Sequence, residues 1–351
     1  MALDIDELRS KAEAGSCVAQ GVLGGAYLSG DGVEQDYAEA FRWLTLAAEA
    51  GAFLPMAALA SMYEEGLGTP KNLDEAHRLY KGAALNGNVD AAFLMARKYG
   101  HGYDVPESSR EVIKWCSVVL VMGDRDPESD EYRGSEKYLL TSYETEDVLI
   151  DLLKNDPEVR IRRVAALVIG QLNLTEALPA LFKVVDDPAV RRSVADAFGY
   201  VTYWKRNTFP NKSAVTELLL RLMEDPDSEI RISAANSIGD ARHNNRRTRA
   251  RLWQALEDPE DRVQQVAGLG LARFGDRAIL PWLEAKLTSD GVAPHHIYAA
   301  EALGDPTILP AVLIGGNRLL ETMQGRQKFE NEDGVRNAID SLKQAAETQP
   351  V

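Results

Sequence analysis

The 351-residue chain has little of several things, and each shortage removes a class of explanation. It holds two cysteines, Cys17 and Cys116, too few for a disulfide framework. They fall in different helix layers at roughly 8–10 Å per layer, beyond the reach of one disulfide, about 7 Å between Cα atoms. Both read as small core residues and suggest a reducing, cytoplasmic setting. No apolar run approaches the roughly 18 residues needed to span a bilayer, and the acidic, amphipathic opening Met-Ala-Leu-Asp-Ile-Asp-Glu-Leu reads as no secretory signal. Aromatic residues are only 7% and no alternating strand pattern is visible, so the expected class is all-α. Positive charge is also short: 39 Lys and Arg stand against 54 Asp and Glu, a net −15. Residues 1–145 hold 13 against 24, net −11, and the remainder carries −4. A strongly acidic half argues against nucleic acid or an anionic membrane as its partner.

Histidine is scarce too. Of His77, His101, His243, His295 and His296, only the last two are adjacent, and neighbours at i and i+1 point to different sides of a helix. No Cys/His set has zinc spacing, and no phosphate-binding glycine motif, nucleophile elbow or catalytic dyad is recognisable. Acidic pairs such as Glu64-Glu65 and Asp186-Asp187 read as solvated helix ends. The expectation is therefore no catalytic residue, no cofactor and no metal site: the chain reads as not an enzyme.

What is present is repetition. Gly15, Gly51, Gly87 and Gly123 are each 36 residues apart, and the same step relates Tyr27, Tyr63 and Tyr99; Gly30, Gly66 and Gly102; Leu23, Leu59 and Met95; and Trp43, Leu79 and Trp115. A fixed period of this size signals stacked helical repeats. Within one unit Leu59, Met62 and Tyr63 form an apolar stripe at i, i+3 and i+4, which Gly66 and Gly68 terminate by taking left-handed turns. Asn72 then caps a second helix carrying Ala76, Leu79, Tyr80, Ala83 and Ala84. Two helices this short cannot bury both stripes alone, so neighbours must stack.

These positions resemble the Sel1-like repeat family, relatives of the tetratricopeptide repeats. The first unit matches most fully, with Ala14-Gly15, Ala19-Gln20, Leu23-Gly24, Tyr27, Gly30, Gly32-Val33, Asp36, Ala40, Trp43 and Ala47-Ala48. The third departs: Asp104 replaces a turn glycine, Val112 a helix alanine, and Val119-Leu120 the alanine pair. It is expected to be looser and to pack against a different neighbour. Three such units are placed at 1–123, with a connector and capping helix at 124–145 in which Tyr138, Leu139 and Tyr143 cover the open end.

From residue 146 to 351 the period changes. Asp156-Pro157, Asp187-Pro188, Asp225-Pro226 and Asp258-Pro259 each separate two helices, with Asp290 in the same place without proline. Aspartate would cap the second helix of each pair, proline would sit in its first turn, and Gly170, Gly199, Gly239 and Gly304 would close it. This half resembles HEAT repeats of the short type named from phycobilisome lyases, on Ile161-Arg162 to Ala165-Ala166 and Gly170, Val190-Arg191 to Ala197 and Gly199, and Ile230-Arg231 to Ala234-Ala235 and Gly239. The arginine becomes Gln264 and then His296. The combined expectation is a double α-solenoid. In such a family the arginines bond the aspartate of an adjacent repeat, although Arg162, Arg191 and Arg231 would also suit a groove for an acidic partner.

The resemblance implies a bacterial, non-catalytic scaffold or adaptor that binds a protein partner. Alternatives are an immunity protein that neutralises a cognate toxin, a nucleic-acid-binding HEAT-like protein, and an enzyme akin to chromophore lyases; oligomeric state is left open. The step from Val190 to Ile230 is 40 residues, against 33 and 32 for the next two, so an insertion lies at Tyr200–Lys212. It and the basic stretch Arg242–Arg251 would emerge on one edge of the solenoid. Tyr203, Trp204, Arg206, Phe209, Arg242, Arg246 and Arg247 are the candidate partner-binding residues, since aromatics beside arginines suit protein interfaces and also nucleic acid. A loop that merely covers the neighbouring helix is the competing interpretation.

Overall fold

The computed structural model describes residues 4–122, 129–204, 212–240, 243–323 and 331–348, and among these the regular structure is entirely helical. They pack into two compact units, Met1–Val168 and Ile169–Val351. The first begins with α1 (Ile5–Glu13) and three antiparallel pairs, α2 (Cys17–Ser29) with α3 (Tyr37–Glu49), α4 (Phe53–Glu65) with α5 (Leu73–Leu85), and α6 (Val89–His101) with α7 (Ser109–Met122). It continues through α8 (Asp130–Thr141), α9 (Thr145–Asn155) and most of α10 (Val159–Gln171).

The 36-residue period is enforced at the turn inside each pair. Gly30, Gly66 and Gly102 end α2, α4 and α6 in the left-handed conformation, at φ 79°, 77° and 66°. The chain then returns so that the amides of Asp36, Asn72 and Ser108 donate to the carbonyls of Tyr27, Tyr63 and Tyr99, at 3.0, 2.8 and 3.1 Å. Asp36 and Asn72 in turn cap the second helices. A Cβ on Gly68 would collide with the Tyr37 backbone, which explains that glycine. At the equivalent place Asp104 holds φ 60°, and its carboxylate lies 3.4 Å from the buried Lys98 ammonium. The strain is thus tied to an ion pair.

The tyrosines also stack one unit on the next. Tyr63 meets Phe41 edge-on at 5.4 Å and Tyr99 meets His77 at 5.7 Å, while Tyr27 packs near Ile5. Ile5, Phe41 and His77 share one register, so α1 packs on α2 in the place of a second helix. At the other end α7 is not loosened by its larger residues: Val112 to Leu120 are buried without interruption, because α6, α8 and α9 all pack around it. Helix α8 starts at Asp130, so the last part of the expected connector is helical; residues 123–128 lie outside the described set. Leu139 is buried as a cap should be, but Tyr143 is 91% exposed and covers nothing.

Arg42 and Arg78 pair on the surface with Glu39 and Glu75 three residues earlier. One period on, Lys114 lies within 3.9 Å of Glu111 but makes its short contact, 2.9 Å, to Asp156, the first aspartate of the second repeat type. Both side chains are buried, and Arg110 adds bonds of 3.0 and 3.2 Å to Asp151. Arg160 of α10 binds the Leu85 carbonyl and Asn86 at the end of α5.

In the second unit the first helices are α11 (Leu178–Val184), α13 (Lys212–Leu222), α15 (Arg246–Ala255), α17 (Leu280–Thr288) and α19 (Leu309–Met323). The second helices are α12 (Arg191–Trp204), α14 (Ser228–Asp240), α16 (Asp261–Arg273), α18 (Pro294–Leu303) and α20 (Asn331–Thr348). From α12 onward each second helix packs on the next. Of the four glycines expected to close second helices, only Gly304 does so, at φ 64°. The others lie inside helices at close crossings: a Cβ on Gly170 would fall 2.6 Å from Ala197 Cα, on Gly199 2.5 Å from Ser237 Oγ, and on Gly239 2.8 Å from Gly270 Cα. Their role is backbone approach between helices.

The aspartates likewise act slightly earlier than a helix cap. Asp156, Asp187, Asp225 and Asp258 each accept the amide two residues on, at 2.9–3.0 Å, which fixes the turn before the second helix. Asp290 is fully exposed and pairs with Arg318 instead. Arg191 bonds Asp225 at 2.7 Å, and Arg231 grips Asp258 with two bonds of 2.9 and 2.8 Å. Arg231 also donates to the Asp225 carbonyl at 3.0 Å. Gln264 keeps that carbonyl bond to Asp258 at 2.7 Å without the charge.

Three substitutions test this packing. Gly66→Val and Gly239→Ala should each cost about 1–3 kcal/mol, the first through left-handed backbone strain and the second through overpacking. Chemical denaturation measures both; an unchanged midpoint for Gly239→Ala would mean that the crossing can open. Lys114→Met should cost about 3–5 kcal/mol, because it leaves the Asp156 carboxylate buried without its closest cation. A loss under about 1 kcal/mol, the scale of a surface pair, would show that the site is solvated.

Candidate functional site

Between Ala14 and Gly30, and again between Ala50 and Tyr63, the chain carries no charged residue. Helix α2 buries Ala19, Gln20, Leu23, Gly24 and Ala26 toward the core. Its opposite side is also apolar. There Val18 and Val22 are 72% and 42% exposed, and at the start of α4 Phe53 and Leu54 are 39% and 65% exposed. These residues face one groove of about 380 Å³, floored by Leu44 of α3. That volume is within the range of ligand pockets, and none of the eleven lining side chains carries a nitrogen or oxygen.

Glycines shape this groove in two ways. A Cβ on Gly21 would lie 2.7 Å from Pro55 Cγ, so glycine lets the start of α4 approach α2, whereas a Cβ on Gly25 would meet nothing within 4 Å. Cys17 lines the groove and is only partly buried, which corrects its assignment to the core. Cys116 is buried as expected, and burial pushes its thiol up to about 11. Exposed Glu13 and Glu49 precede α2 and α4, and residues 1–65 hold 3 Lys and Arg against 11 Asp and Glu, net −8.

The edge expected from the sequence is only partly placed. Arg206, Phe209 and Arg242 lie outside the described residues, as do the side chains of Tyr203 and Trp204, whose backbone forms the last turn of α12 rather than a loop. Arg246 and Arg247 stand in the first turn of α15, after the Asn245 cap. Arg246 is exposed and makes no ion pair among the described residues, while Arg247 pairs with Glu217. Arg249 reaches Asp276 and the Phe274 carbonyl, and Arg251 reaches Glu224 and the Met223 carbonyl. Much of this positive charge is therefore answered by adjacent helices. Two mixed-charge clefts of about 430 and 460 Å³ run between α13 and α15, lined in part by Glu217 and Arg247.

Two histidines are core groups in the second unit. His243 Nδ1 lies 2.7 Å from Thr216 Oγ1, and His296 Nδ1 accepts the Ala293 amide at 3.0 Å. Burial, with Lys212 for the first and Lys286 for the second, pulls both down to about 4. Among the described residues no group of three or more His, Cys, Asp or Glu is arranged to hold a metal ion, and no helix is long and apolar enough to cross a membrane.

Family models for the Sel1 repeat match residues 18–51 and 56–88, and models for HEAT repeats match residues 146–206 and 186–263. Protein YibA of Escherichia coli, in strains K12 and O157:H7, is 31% identical over 156 residues, 44% of this chain and 49% of YibA. The chain thus spans about half the length of the curated relatives it matches. The solved structure of Escherichia coli YibA aligns with 84% of this chain and 96% of its own at 21% identity and a TM-score of 0.45. A Sel1 repeat protein from Oxalobacter formigenes aligns with 38% of this chain and 98% of its own at 31% identity and a TM-score of 0.33. The complex of CpcE and CpcF of phycocyanin lyase from Nostoc sp. PCC7120 aligns at 19% identity over 68% and 96%, with a TM-score of 0.38.

The buried histidines set a pH dependence. Their folded values lie below the ordinary 6.5, so the unfolded chain binds more protons between pH 6.5 and 4. Stability should be fully present above pH 6.5 and fall as pH drops toward 4. Asp258 and Asp305, held low in the folded state, add losses only below about pH 4. Urea unfolding at a series of pH values checks this: replacing both histidines by asparagine should flatten the slope between pH 6.5 and 4, and an unchanged slope would assign it to other groups.

Proposed function

We propose that this chain, in which Sel1 repeats precede HEAT repeats, is a non-catalytic interaction scaffold that docks a protein partner in the apolar groove between α2 and α4. The observation that carries this reading is the exposure of Val18, Val22, Phe53 and Leu54 around one concavity. Contiguous apolar surface costs solvation until something covers it, and such patches mark interaction sites.

A second surface is supported by the clefts between α13 and α15, which the Arg247–Glu217 pair lines in part, with exposed Arg246 preceding it on α15. Its mixed charge suits a polar contact that adds orientation to an apolar anchor. The partner-binding role of Tyr203, Trp204, Arg206, Phe209 and Arg242 belongs to this same proposal.

Affinity capture from the source cells separates the two surfaces. Val18→Asp with Leu54→Asp should keep helical content and melting, because both side chains are largely exposed. It should weaken capture of the wild-type partner at least about tenfold, or roughly 1.4 kcal/mol. If that variant captures normally while Arg246→Ala with Arg247→Ala does not, the HEAT-repeat edge is the docking surface instead.

A further inference from the structure

The groove's chemistry narrows what can occupy it. Apart from the first-turn amides of α2 and α4, its walls are helix whose backbone groups are bonded internally, and its lining offers no side-chain nitrogen or oxygen. An extended segment laid there would bury amides and carbonyls without partners, which is costly. A helix brings its own backbone bonds. The wall from Val18 to Gly25 measures about 10 Å at 1.5 Å per residue, room for two turns and for anchors at i, i+3 or i+4, and i+7.

Charge gives the remaining constraint. The lining is neutral, but residues 1–65, which supply it, carry −8, and between Arg42 and Lys71 there is no basic residue. Exposed Glu13 and Glu49, at the entries to α2 and α4, make no ion pair among the described residues. Resting on the docking role proposed above, we infer that the occupant is an amphipathic helix of a protein partner, with two or three large apolar side chains in the groove and Lys or Arg on its flanks. The acidic surround attracts such a helix and disfavours one with acidic flanks.

Three 18-residue synthetic peptides test this: a helix with a leucine stripe and lysine flanks, the same stripe with glutamate flanks, and a scramble of the lysine peptide. Gly25→Leu provides a plugged groove, because the added side chain enters open space and leucine favours the helix over glycine. By fluorescence anisotropy in 150 mM salt the lysine helix should bind at least about tenfold tighter than either other peptide, and at least about tenfold tighter to wild type than to Gly25→Leu. Alkylation should report Cys17 alone in the native protein, since Cys116 is buried, and the bound peptide should slow it.

Equal binding of the scramble, binding that survives the plug, or unchanged Cys17 alkylation overturns the inference. An apolar dye separates the two levels. If it binds wild type and not Gly25→Leu while no peptide binds, the groove remains a docking surface and the helical occupant is wrong. Equal dye binding to both proteins removes the groove itself. Concentration-dependent self-association abolished by Gly25→Leu would make the occupant a second copy and likewise overturn the helix.

Discussion

A pair of helices of about thirteen residues cannot cover its own apolar faces, and most of what this chain does structurally is a response to that constraint. The left-handed glycines hold each pair closed, the tyrosines lean on the preceding pair, and α1 covers α2 in the place of a second helix. In the second unit glycine crossings bring successive second helices into backbone contact. Where the covering stops, Val18 and Leu54 remain in water. The same requirement that builds the array thus also leaves its candidate docking site, an apolar concavity that none of the described helices fills.

Electrostatics follows the packing. In the first two units the cation in the register of Lys114 makes an exposed pair that contributes little. In the third it is enclosed, and the same position becomes the contact to Asp156. Along the second unit Arg191 and Arg231 join the turn of one repeat to that of the next, and they are largely committed to that work rather than to an acidic ligand. Gln264 shows which part of the device survives loss of charge: the bond to the turn carbonyl.

The sequence made legible whatever depends on local geometry. Gly66 and Asn72 declare a helix end and a helix start through their own conformational and capping preferences, so helix order and period were readable in advance. A glycine near a helix terminus is different, because Gly170 as a cap and Gly170 as a crossing point look alike until the facing Ala197 is known. Periodicity failed similarly at Cys17: α2 is apolar all round, and a stripe analysis cannot say which apolar side lacks a neighbour. The signal available was the uncharged run from Ala14 to Gly30. Tyr143 was misplaced because an aromatic after a capping helix resembles a cap whether or not the chain turns it inward.

The Lys114–Asp156 contact has a consequence for how such a chain can be reshuffled in evolution. The repeat type changes at about residue 146, but the first packing unit runs to Val168 and takes in α9 and most of α10. A recombination event that cut at the change of repeat type would take Asp156 from Lys114 and bare one side of α7, which α9 otherwise covers. A viable crossover must carry the first HEAT-type pair along with the Sel1-type array. The heritable module is therefore longer than the repeat array by which it is recognised, and homologous arrays that lack this lysine would make poor exchange partners.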